Sequence, residues 1–469
     1  MNQKHIQQFV ARQWDHAILP TMKNYIRIPN KSVAFDRGWQ EHGHMERAVK
    51  LATNWCRRNP VQGMKLEVLR AAGRTPLIFI EIPGQGDDTV LLYGHLDKQP
   101  EFTGWAKGLD PWTPVRRGDK LYGRGAADDG YAIFASLTAI RALQQQKIPH
   151  TRCVITIETC EESGSLDLPY YIRELGTRLG RVNLVVCLDA ECGNYEQLWC
   201  TTSLRGNLTG TLSVDVLSEG VHSGAASPIV PSSFRILRTL LERVEDSVTG
   251  ASKVKSIKPV IPAARRRQIR AAARVLGKSV YEKFPFVRGM RPTSKDLTAL
   301  LADNTWGATL SVTGAEGLPA IENAGNVLRP HTAVKLSFRL PPTADARKVA
   351  AEIKQLLEKN PPYGARVKFT PDPTMGGWNA PPVAAWLARS MQASSRAFFG
   401  KNAMYLGTGG SIPFMGMLGK KFPRAQFLVT GLLGPHANAH GPNEFLHIPT
   451  AKKLTACVAQ VIADHHARI

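Results

Sequence analysis

VLLYGHLDKQP, residues 90–100, runs without a polar break through five apolar or small residues and then places His95 and Asp97 directly after them. An apolar run that does not alternate reads as a strand buried on both faces, the habit of parallel sheets covered by helices. CVITIET (153–159) and NLVVCLD (183–189) have the same texture. Between the first two, DGYAIFASLTAIRALQQQ (129–146) spaces its apolar residues as a helix does and serves as a crossover from one strand to the next. The expectation is an α/β fold built on a mostly parallel sheet.

From about residue 203 the pattern changes. NLTGTLSVDV (207–216), WGATLSVTG (306–314) and AVKLSFRL (333–340) alternate apolar and polar residues, as half-exposed antiparallel strands do. Two amphipathic stretches, 232–246 and 344–359, accompany them. Residues 203–374 therefore read as a smaller α+β domain, an antiparallel sheet with two helices, inserted into a larger one. The larger domain occupies 1–202 and resumes over 375–469, with a helix near 381–398 and a strand at 426–430.

Composition narrows the function classes. The chain has 469 residues, of which 43% are hydrophobic and 21% charged, which excludes a disordered or collagenous protein. No window approaches 18 consecutive apolar residues, so no membrane span is expected, and the first twenty residues lack the apolar core of a secretory signal. Seven cysteines without a CxxC pair point to a reducing compartment, and the cytoplasm is the expected location. Sixty Lys and Arg against 38 Asp and Glu leave a net charge of +22, which attracts anions. Nine of the basic residues fall in 253–278 with no acid among them, at helical spacing that sets the arginines on one face. A solvated helix face is the plain account. A polyanion site is the sharper one, but without interleaved aromatics it attracts phosphate and reads no bases, so nucleic acid is disfavoured.

Ligands of an open α/β sheet bind beyond the carboxyl ends of its strands. Here those ends carry His95 and Asp97, Glu161 and Glu162, and Asp189; the strand at 426–430 precedes His436 and His440, and the turn YGRGAADDG presents Asp128 and Asp129. Taken singly, each has an ordinary account: a hydrogen-bonded loop histidine, a helix-capping aspartate, a solvated acid pair. Gathered at one edge, the carboxylates would repel one another unless cations lay between them. Imidazole mixed with carboxylate and no thiolate suits zinc, and less selectively cobalt or manganese. Two histidines and three acids exceed one tetrahedral site and suit two ions sharing a carboxylate, an arrangement that activates water and polarises a carbonyl. Metal-assisted hydrolysis is the expected chemistry.

YGHLDKQP, LYGRGAADDG, ETCEESGS, LDAE, GVHSG, FRLPP, GTGGSIP and HGPNE, in that order from about residue 90 to 450, resemble the motifs of the co-catalytic zinc metallopeptidases. That family includes carnosinase, cytosolic dipeptidase, glutamate carboxypeptidase, aminoacylase and succinyl-diaminopimelate desuccinylase. The resemblance implies two zinc ions per subunit, with His95 and Asp189 on one, Glu162 and His440 on the other, and Asp128 bridging. It makes Glu161 the general base, Asp97 the acid that orients the ligand imidazole, and His222 a histidine that reaches the neighbouring subunit's site to stabilise the oxyanion. Asn326, Arg339, Gly409, Gly410 and Ser411 match positions that hold the substrate's carboxylate or scissile group. Gly130 departs from the pattern, since a lysine often follows the acid pair, and Cys160 stands unusually close to the ligands.

The resemblance implies a homodimer, paired through the inserted lid domain, that removes the C-terminal residue of short peptides or splits dipeptides bearing a free carboxylate. The wording GHLDKQP and EESGS is nearer the dipeptidase and carnosinase branch. An amidohydrolase acting on N-acyl amino acids is the nearest alternative, and a polyanion-binding protein on a hydrolase scaffold the remote one.

Overall fold

The apolar run that ends at His95 becomes the middle strand of the main sheet because both its neighbours are equally apolar. In a computed structural model describing residues 1–258, 260–412 and 414–468, strand Asp88–His95 lies between Arg152–Glu158 and Arg181–Cys187 and runs parallel to both. Pro259 of the basic segment, Pro413 at the close of GTGGSIP, and Ile469 lie outside the described residues. Leu92 is in register with Ile155 on one side and Val186 on the other. Gln426–Val429 continues the parallel edge, while Leu77–Ile82 and Lys65–Leu69 extend the opposite side antiparallel.

Alternate residues of these strands feed two cores. Val90, Leu92, Ile155 and Val186 meet helices Gln3–Gln13, Ala132–Gln145 and Ile448–Ala467. Leu91, Tyr93, Val154 and Val185 meet Leu168–Leu175 and Met415–Lys421 on the other face. Each fully buried aliphatic side chain contributes about 1.5–3 kcal/mol, so a sheet covered on both faces is a rigid base for the loops at its carboxyl edge.

A second sheet has four antiparallel strands in the order Thr309–Glu316, His331–Leu340, Gly206–Asp215, Arg366–Pro371. Gly206–Asp215 alternates buried and half-buried residues along its whole length. Its buried Leu208 and Leu212 pack with Ile236, Leu240, Val349 and Ile353 of helices Ser233–Leu241 and Ala346–Glu358. The helices start where their caps dictate: Ser232 Oγ accepts from the Arg235 N–H, and the Asp345 carboxylate accepts from those of Arg347 and Lys348. The first helix ends at Leu241, short of the expected 246. The strand Thr309–Glu316 is an edge with almost every residue exposed, and Val312, Leu318 and Ile321 near it are exposed too.

The basic segment includes a helix, as its spacing predicts. Helix Ala263–Leu276 lies against strand Met404–Thr408 of a third, three-stranded sheet, not against the four-stranded one. Ile269, Ala272 and Ala273 share a small core with Trp199, Leu301 and Trp306. Spacing along a helix tells which face is apolar but not which partner covers it, and Arg265 further ties it to the outer chain by donating to Asn379 and to the Ala380 carbonyl.

Candidate active site

Strand Asp88–His95 ends on its imidazole, Glu161 and Asp189 follow shortly after Arg152–Glu158 and Arg181–Cys187, and His440 lies on the longer loop after Gln426–Val429; these loops converge. His95 is fully buried, with Nε2 at 3.3 Å from Asp128 Oδ1 and 3.9 Å from Asp189 Oδ2. His440 Nε2 lies 3.0 Å from Asp128 Oδ2 and 3.1 Å from Glu162 Oε2. Two groups result, His95 with Asp128 and Asp189, and Asp128 with Glu162 and His440, each with its donor atoms within 4.8 Å of one another. Asp128 belongs to both. His436 stands apart, exposed beside Tyr122 and Phe445.

The electrostatics are those of a site with too many acids. Burial, then the Asp128 and Glu162 charges against the relief from His95, push the Asp189 carboxyl up to about 7. Burial and Asp189 raise Glu161, and burial and Asp128 raise Glu162. Asp128 goes the other way, since hydrogen bonds from His440 and His95 outweigh its burial. For His95, burial lowers the pKa, but its bonds to Asp128 and Asp97 overcome that and raise it above the usual imidazole range. Glu162 Oε1 is buried with no hydrogen-bond partner. An orphaned carboxylate oxygen, mixed imidazole and carboxylate donors, and one acid common to both groups fit two divalent cations.

Asp97 is placed to do more than orient one ring. Its backbone carbonyl takes His95 Nδ1–H at 3.0 Å, while its side-chain oxygens accept the Glu161 N–H at 3.1 Å and the Glu162 N–H at 2.9 Å. Gln99 donates to Glu162 Oε2 at 2.6 Å. Arg124 and Glu444, both buried, form a 2.8 Å ion pair behind the site. Glu444 also accepts from the Gly125, Ala127 and Asp128 N–H groups, and Arg124 donates to the Gly441 carbonyl, so the turn bearing Asp128 and the loop bearing His440 are fastened together. Sequence reasoning passed over Gln99, Arg124 and Glu444, although they lay within the quoted YGHLDKQP, LYGRGAADDG and HGPNE.

The two departures have physical accounts. A side chain at Gly130 would put its Cβ 2.1 Å from Tyr25 Cε1 and 2.8 Å from the Gly125 carbonyl oxygen, so no lysine fits. Cys160 is buried with Sγ directed at Glu158, 3.5 Å away, and burial raises its pKa, so it remains a thiol outside both donor groups.

A cavity of about 460 Å³ opens over Asp128, Glu161, Glu162, Asp189 and His440 and extends to Arg339, Gly410 and Ser411. Arg339 donates to Ser411 Oγ at 3.2 Å. Behind them Arg205, another residue the sequence reading passed over, donates to the Gly409 and Gly307 carbonyls, and its own carbonyl accepts from Ser411 Oγ. His222 and Asn326 are not among the cavity's walls: both are exposed, His222 on the short strand Val221–His222 paired with Val327–Leu328, Asn326 just before that partner strand.

Comparison with known proteins identifies the family and the fold. A profile of Peptidase family M20/M25/M40 matches residues 91–464. The chain is 26% identical over 390 residues to a cysteinylglycine-S-conjugate dipeptidase of Corynebacterium striatum, covering 80% of this chain and 82% of that one. It is 28% identical over 294 residues to the β-Ala-His dipeptidase of Mus musculus, covering 60% and 58%. The crystal structure of human carnosine dipeptidase 1 superposes with a TM-score of 0.78 at 20% identity over the whole of both chains, a likeness of fold.

Proposed function

The chain belongs to peptidase family M20/M25/M40 and is a metal-dependent peptidase; on that premise we propose that it is a di-zinc dipeptidase, cleaving dipeptides or the C-terminal residue of short peptides. The observation that carries this is the shared Asp128 at one end of a cavity whose other end holds Arg339, Gly410 and Ser411. One end activates water; the other suits a free carboxylate, which a guanidinium fork matches in shape and charge. Cobalt or manganese could replace zinc with the same donors.

His95 and Asp189 would hold one cation, Glu162 and His440 the other, and Asp128 both. Bound there, the cations would acidify a water molecule and polarise the scissile carbonyl. Glu161 receives the proton of the attacking water at its carboxylate and returns it to the leaving amine. Asp97 fixes Glu161 relative to Glu162 through the two backbone bonds described above, and Arg339 with the 409–411 turn aligns the carbonyl by gripping the substrate's carboxylate.

The stretch 203–374 is proposed to act as a lid and dimerisation unit between the outer parts 1–202 and 375–469. The exposed apolar edge around Val312 and Ile321, and the distance of His222 and Asn326 from the cavity of their own chain, support a homodimer in which each subunit lends these residues to the other. Among the described residues no helix is long and apolar enough to cross a membrane. The seven buried free cysteines support a reducing, cytoplasmic setting. Turnover of a dipeptide panel beside N-acetyl and N-succinyl amino acids, with zinc, cobalt or manganese restored, tests the proposal. Faster hydrolysis of the acylated compounds would replace the dipeptidase with an amidohydrolase.

A further inference from the structure

Glu191 stands two residues after Asp189, on the loop that pairs with Leu433, and it lines the cavity. It is exposed, and no hydrogen bond or ion pair to a described residue engages its carboxylate. It lines the same cavity as Arg339, Gly410 and Ser411; in keeping with that, burial lowers the basicity of Arg339, and the charge opposing that effect is Glu191, which acts on Arg205 in the same sense. The acid therefore shares the cavity with the guanidinium that would receive the substrate's carboxylate, without being tied to it.

Such an acid works against an ordinary dipeptide. When Arg339 takes the carboxylate, Glu191 faces a like charge across a cavity walled by protein, where screening is weaker than in bulk. A substrate that brings a cation to the same end turns that repulsion into attraction, and one that brings a second carboxylate makes it worse. Like-charge juxtaposition of this kind rejects wrong partners more than it strengthens right ones. The net charge of +22 draws acidic peptides to the surface indiscriminately, so an acid inside the cavity would sort what the surface collects.

We propose that Glu191 makes the site selective for dipeptides whose carboxyl-terminal residue carries a cationic side chain, an amine or a guanidine, and against those ending in aspartate or glutamate. The inference rests on the dipeptidase reading and deepens it. Glu191 acts as a specificity residue through charge, not as an acid or base in bond cleavage.

The test uses the metal-loaded full chain with Ala-Lys, Ala-Arg, Ala-Leu and Ala-Glu. The expected kcat/KM for the two cationic dipeptides exceeds that for Ala-Leu by about tenfold, with Ala-Glu lowest, and the differences lie mainly in KM. E191Q should bring Ala-Lys and Ala-Glu to within about threefold of each other, and E191K should reverse their order. Hydrolysis of all four at similar rates by the wild type would overturn the inference and leave the dipeptidase reading standing. An equal loss on every dipeptide in E191Q would overturn it too, by assigning Glu191 to the substrate's amino group. Failure of all four to react would remove the dipeptidase reading and the inference with it.

Discussion

The carboxylate of Asp97 accepts the backbone N–H of Glu162 at 2.9 Å and, through its other oxygen, that of Glu161 at 3.1 Å. One buried acid therefore sets the positions of a candidate ligand and a candidate base, while its carbonyl turns His95. Asp97→Asn keeps the shape but presents an amide N–H₂ to one of two N–H donors. Metal affinity should fall about 10–100-fold, as for other residues that support a ligand from behind. Competition with a chelator of known affinity measures it, and unchanged affinity would confine Asp97 to shaping the turn.

Glu161→Gln removes a proton acceptor while preserving size. The expected result is a loss of about 10²–10⁴ in kcat, with metal content by elemental analysis equal to that of the wild type. Undiminished turnover would show that another group takes the proton.

The Arg124–Glu444 pair is 2% and 0% exposed. Arg124→Met leaves Glu444 charged and unpaired in the interior, and unfolding by urea should show a loss of about 3–5 kcal/mol. Arg124→Met with Glu444→Gln should recover part of that loss, because the two changes act on one interaction.

His465, buried on the last helix, has its pKa pulled down by burial and then by His466, to about 4 from an ordinary 6.5. The unfolded chain therefore binds a proton that the folded chain refuses, and stability falls as pH drops from about 6.5 toward 4. Between pH 7.5 and 5 the expected loss is about 2 kcal/mol. His465→Gln, which can still bond Thr151 and Asn183, should flatten that limb of a urea-stability curve measured against pH.

Gly130→Ala places a methyl group where Tyr25 and the Gly125 carbonyl already stand. Overpacking of this kind should lower stability by about 1–3 kcal/mol and reduce metal affinity by displacing the turn that carries Asp128. Thermal unfolding and metal titration of one preparation would register both.

The parallel sheet could be read from residues 90–94, 153–159 and 183–189 because a strand buried on both faces is apolar on both and does not alternate, and the alternation at 207–216 and 333–340 marked the half-covered sheet for the converse reason. His95, Glu161, Glu162 and Asp189 were legible as candidate chemistry because they follow strand ends, and Asp128 and His440 because the turn YGRGAADDG and HGPNE carry the family resemblance. Arg124 and Gln99 were not. Their significance lies in a partner distant in sequence, and nothing local distinguishes an arginine bound for the interior from one bound for solvent. The basic helix escaped for the same reason: its apolar face was visible, its partner strand at 404–408 was not.

The turn that carries Asp128 is held by Glu444, and His440 reaches Asp128 from the same late loop, so the donor constellation is shared between distant stretches of chain. A nascent polypeptide still threaded through the ribosome as far as Asp189 would own His95, Asp128 and Glu162 but neither His440 nor the bolt behind them. With His440 as a ligand, peptide-cutting power would be withheld until synthesis is nearly finished, and a protease nick that frees the loop bearing His440 and Glu444 should disarm the molecule even if its central sheet survives.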